Sequence, residues 1–96
     1  MVIGILQFEI GVHGSASLKD KRSVVKSLKD RLHREHQVSV AEVAKLDDHT
    51  RGVLGLALVS NDMPHTQSTL DRLIDKLQNH RDFELIDHKK EILTGR

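Results

Sequence analysis

Along residues 2–12 apolar and polar positions alternate. Val2, Leu6, Phe8, Ile10 and Val12 share one side with Gly4 between them, and Ile3, Ile5, Gln7 and Glu9 share the other. A period of two is the signature of a strand, whose successive side chains point to opposite faces. GVHGSAS follows as a loop, its two glycines marking a turn. Ser17 stands three residues before Asp20, the spacing of a capping box, and predicts a helix starting near Leu18. Leu18, Val25, Leu28 and Leu32, with Val24 beside them, recur at helical spacing, so this helix should run to about His36.

QVSVAEVAKL reads as a second strand, with Val38 and Val40 pointing one way, and DDHT as a turn. RGVLGLALVS is apolar on both faces, the pattern of a central strand. SNDMP opens a second helix, capped by Asn61 or Asp62 with Pro64 in its first turn. Its buried stripe is Met63, Leu70, Leu73, Ile74 and Leu77, and NHRD ends it. FELIDHKKEIL is a final strand with a break in its alternation.

The order is therefore βαββαβ. Two right-handed crossovers in such a chain build an α+β, ferredoxin-like sandwich: a four-stranded antiparallel sheet with both helices on one face. The expected strand order is 4-1-3-2, which places the two most apolar strands in the middle. Ninety-six residues fit a single domain over 1–96 with one modest core.

Charge changes this picture. Residues 17–36 hold seven of the 15 lysines and arginines and three of the acids. That element sits near +4 while the rest of the chain sums to about −3. On a wheel of about 100° per residue, Lys19, Arg22, Lys26 and Lys29 fall within an arc of roughly 80°, and His33 continues the line. From Lys19 to Lys29 the stripe covers about 15 Å, long enough to meet a few successive phosphates of one strand. Plain solvation of a helix face is the alternative, with Asp20 and Asp30 pairing locally. Lys21 falls inside the apolar arc. Either it snorkels past the end of the sheet or it holds a functional position at the helix start, as a fifth phosphate contact. Gly14, Ser15 and Ser17 precede a helix N-terminus and form a second candidate anion site, although neither GxxxxGK[ST] nor GxGxxG is present.

The other chemistries find less support. There is no cysteine, Trp or Tyr and there are two Phe, so base stacking on the central strands is not expected. Seven histidines are scattered without a carboxylate or thiolate set, and no metal or cofactor is expected. No serine has a nucleophile setting, and no catalytic constellation is expected. The apolar N-terminal stretch is too short to span a bilayer and has no signal-peptide flank, so a cytoplasmic location without membrane contact is expected. If Leu54, Leu56 and Leu58 face the helices, then Val53, Gly55, Ala57 and Val59 face outward with Ile3 and Ile5. That surface predicts self-association as a homodimer.

SLKDKRSVVKSL, VSVAEV and LGLALVSND are similar to the YlxP family of small bacterial proteins of unknown function. The resemblance implies a ferredoxin-like fold. It also implies a role near ribosomes or RNA, because genes of the family often lie beside those for translation initiation factor 2 and a ribosome-binding factor. Members often carry an aromatic residue in the turn where this chain has Asp48-His49-Thr50. The family brings no catalytic residues to carry over. Two functions follow as expectations: an RNA- or ribosome-associated module using the basic flank, and a homodimeric interaction or ligand-sensing domain using the open sheet.

Overall fold

The computed structural model describes residues 1–95. The elements run β1 (Val2–Val12), α1 (Leu18–His36), β2 (Ser39–Ala44), β3 (Arg51–Ser60), α2 (Met63–Gln78) and β4 (Phe83–Thr94). They form one antiparallel sheet in the order β2-β3-β1-β4, with the two apolar strands at its centre. This is the α+β, ferredoxin-like arrangement that the pattern predicts.

Alternation in β1 sends Leu6, Phe8 and Ile10 into the core, where they meet Leu54, Leu56 and Leu58 of β3. The helices close that face: α1 lies over β2 and β3, and α2 over β1, β4 and β3. Val25, Leu28 and Leu32 come down from α1, and Leu70, Leu73, Ile74 and Leu77 from α2. Gly4 lets α2 approach the sheet, since a Cβ there would stand 2.7 Å from Thr66 Cγ2. Among the described residues no helix is long and apolar enough to cross a membrane.

Local chemistry explains the ends. Ser17 Oγ accepts from the Asp20 N–H at 3.2 Å, so the predicted cap forms. Gln37, in the left-handed region at φ 53°, closes α1 by donating its N–H to the His33 carbonyl. Asp62 is the cap residue of α2 by backbone geometry, with Pro64 in the first turn, and its side chain makes no capping bond.

Two bulges bend the sheet away from strict alternation. One lies in β2 between Glu42 and Ala44, and the other lies in β4 opposite Glu9 and Ile10. The second is the broken alternation in FELIDHKKEIL. It adds Ile86 as the unpaired residue and brings its side chain against Gly11 on the open face.

Candidate nucleic-acid interface

The basic flank of α1 is built by what happens to the acids around it. Asp20 turns back to the loop and accepts from the Ala16 N–H at 2.9 Å. Asp30 pairs with Lys26 one turn away at 3.1 Å, both side chains largely in water. Glu35 reaches across to Lys76 of α2. Each carboxylate on the helix is thereby engaged, and among the described residues Lys19, Arg22 and Lys29 have no carboxylate partner. Lys19 and Arg22 are exposed and Lys29 is half-buried. The Lys26–Asp30 pair, exposed on both sides, contributes only a few tenths of a kcal/mol, about 0.3–0.5, so a phosphate can displace Asp30. Arg31 and Arg34, exposed on the same helix, line a shallow trough with Lys26 and widen the cationic surface. Their positions fall outside the 80° arc, which is why the wheel does not single them out.

Lys21 does not belong to this surface. Its side chain is fully buried, and the ammonium donates to the carbonyls of Lys45 at 2.8 Å, Leu46 at 3.1 Å and Arg51 at 3.2 Å. Glu42 Oε2 lies 2.9 Å away. Three N–H bonds satisfy three carbonyls, so Glu42 acts on the ammonium by charge with no hydrogen left to share. The phosphate-contact expectation for Lys21 is corrected: the residue is a staple tying the β2–β3 turn to α1. Glu42 reaches it because the inward series Val38, Val40, Glu42 continues through β2 under the helix, as its register with Leu54 requires.

The loop expectation is corrected as well. Gly14 supplies the turn at φ 67°. The one hydrogen of the Ser15 hydroxyl is shared between the carbonyls of His49 and Ser17, and Ser17 Oγ is the helix cap. The carboxylate of Asp20 turns back to the Ala16 N–H, so a negative charge already stands beside the helix N-terminus. Beside this loop, Asp48 Oδ1 accepts from the Thr50 N–H, the Thr50 hydroxyl and the Arg51 N–H. The Thr50 bonds hold its carboxyl below the usual aspartate range.

The sheet supplies no stacking platform. Phe8 and Phe83 are both 1% exposed. On the open face, Val59 is 69% exposed and lies in register with Ile3 and, beyond it, Leu93. Ile5 and Ala57 form the next row and are half-buried. Two of the six residues expected at an interface present less surface than their register implies. Val53 is buried within this chain, which corrects its assignment as an interface residue. Gly55 lies beneath the methyls of Val43. Val43 and Ile86, both exposed, take up the apolar surface instead. Sequence alternation misses them because each sits at a bulge or beside one. Among the described residues no group of three or more His, Cys, Asp or Glu could hold a metal ion.

Residues 3–90 match DUF503, a protein family of unknown function. The chain is also 29% identical over 83 residues to the uncharacterized protein YlxP of Bacillus subtilis (strain 168), a match covering 86% of this chain and 90% of that protein. The chain therefore belongs to the DUF503 family, whose function is unknown.

Proposed function

We propose that the chain is a non-catalytic RNA- or ribosome-associated module in the cytoplasm, and that the exposed flank of α1 contacts phosphates. The observation carrying this reading is that, among the described residues, Lys19, Arg22 and Lys29 have no carboxylate partner while Asp20, Asp30 and Glu35 are each engaged elsewhere. Sheet-face readout by stacking has no aromatic to use, so contact is with the backbone and sequence preference is weak.

Salt dependence tests this. Fluorescence anisotropy with a single-stranded oligoribonucleotide should show affinity falling about fifty-fold between about 50 and about 200 mM salt, if four phosphates are neutralised. The Lys19→Ala/Arg22→Ala/Lys29→Ala variant should reduce the logarithmic slope by about 2 and weaken binding to ribosomes in co-sedimentation. An unchanged slope removes the proposal.

A second reading is favoured by the row in which exposed Val59 and Leu93 flank half-buried Ile3: a homodimer assembled across the open face. A charge at Ile5 or Ala57 should then shift sedimentation from dimer to monomer, whereas a parent protein that is monomeric at high concentration excludes it.

A further inference from the structure

The two helices leave a polar cleft of about 390 Å³ where the end of α1, the end of β3 and the first half of α2 converge. It is lined by Arg34, Glu35 and His36 from α1, by His65, Thr69 and Arg72 from α2, and by the end of β3. Its charge is lopsided. The single carboxylate, Glu35, is taken by Lys76. Among the described residues neither Arg34 nor Arg72 has an acidic partner. Two guanidinium groups therefore face the cleft uncompensated, which is the geometry suited to an oxyanion that can accept several N–H bonds.

A second observation is independent of charge. Thr69 is 7% exposed, and its Oγ1 is buried with no hydrogen-bond partner. A helical threonine ordinarily donates to the carbonyl four residues back. Thr66, one turn earlier, does so, to Asp62 at 2.9 Å. Thr69 lines the cleft with its unpaired hydroxyl sealed from water, so a bond to a bound ligand needs the side chain to turn outward about χ1. Buried polar groups are nearly always satisfied, and one left over beside uncompensated arginines is a group whose bond a ligand can supply.

The imidazole of His36 senses the same field. Burial first, and then the Lys76 ammonium and Arg72, hold its pKa below the ordinary value, with Glu35 opposing them. Lys76 Nζ lies 3.1 Å from His36 Nε2; an ammonium can only donate, so this nitrogen accepts and the ring is neutral.

We propose that this cleft binds the phosphate group of a small phosphomonoester, gripped by Arg34 and Arg72 and hydrogen-bonded by the Thr69 hydroxyl. Lys19, Arg22, Lys26 and Lys29 do not line it, and Arg34 alone borders both this cleft and the trough on the α1 flank. Arg72 and Thr69 belong to the cleft and not to the trough, so their variants separate this proposal from the RNA reading.

The test uses the full chain, titrated with inorganic phosphate and with adenosine 5′-monophosphate under NMR. Both ligands should move the resonances of His36, His65 and Thr69 saturably, and the bound anion should raise the His36 pKa. Arg34→Ala and Arg72→Ala should each weaken binding about tenfold or more. Thr69→Val should weaken it about threefold to tenfold while leaving the free protein at least as stable, because it removes an unpaired buried hydroxyl. Lys19→Ala/Arg22→Ala/Lys29→Ala should bind phosphate as the parent does. A 5′-phosphorylated oligoribonucleotide moving the same three resonances more strongly than the mononucleotide would overturn the small-ligand assignment. Phosphate that leaves these resonances unmoved, or binds Arg34→Ala/Arg72→Ala as tightly as the parent, overturns the site.

Discussion

Lys21→Met is expected to destabilise the fold by about 3–5 kcal/mol, the usual result of removing one partner from a buried ion pair. Against a typical total of about 5–15 kcal/mol, that is a large fraction of what holds a small domain together. The methionine fills most of the lysine's volume, so the loss is not one of packing. It strands the Glu42 carboxylate in a nearly closed site and leaves the carbonyls of Lys45, Leu46 and Arg51 without their donor. Glu42→Leu in the same chain should recover part of the loss by removing the stranded charge. Recovery stays incomplete, because the three carbonyls lose this donor and, among the described residues, only that of Lys45 keeps another, the Asp48 N–H at 3.1 Å. Urea denaturation of the single and double variants measures both quantities. A Lys21→Met protein within about 1 kcal/mol of the parent would contradict the staple.

That staple also shows where sequence reasoning stops. The strand β1, the bounds of α1 and the centrality of β3 are legible because each rests on a short-range period of two or 3.6. Lys21 and Glu42 are each visible as an anomaly, a cation in the apolar arc of a helix and an anion continuing the Val38, Val40 series. Nothing local says that the two anomalies answer one another. Their meeting depends on the register of β2 under α1, which is set by long-range pairing. An ion pair between oppositely charged residues that both interrupt apolar stripes was the available signal. The break in FELIDHKKEIL was likewise readable, but that a bulge would swing Ile86 outward required the pairing with β1. The phosphate cleft draws on two helices and the end of β3, so spacing within either helix does not reveal it. The flank of α1 is the opposite case. Its cations share one helix, and periodicity placed Lys19, Arg22, Lys26 and Lys29 together without reference to the rest of the fold.

The other large effect separates stability from recognition on the sheet. Phe8→Ala is expected to cost about 3–5 kcal/mol, because it opens a cavity in the core, where the ring lies 1% exposed opposite Leu54 on the sheet face that the helices cover. In domains of this topology that read RNA on the sheet, aromatic side chains of the central strands point outward and stack on bases. Here the alternation of β1 turns Phe8 inward, and its outward neighbours are Gln7 and Glu9. Glu9 is held in place by Lys45 at 2.9 Å and Arg51 at 3.0 Å, and those two bonds keep its carboxyl below the usual glutamate range. The central rows of the open face thus carry a carboxylate already neutralised by two cations, and no ring on which a base could stack. Loss of the ring should lower the denaturation midpoint while the folded protein keeps its RNA affinity. Phe8→Leu, with a smaller volume change, provides the same comparison if the alanine chain does not fold. Should Phe8→Leu weaken oligoribonucleotide binding as much as Lys19→Ala/Arg22→Ala/Lys29→Ala does, recognition would lie on the sheet and the flank of α1 would be only its solvated edge.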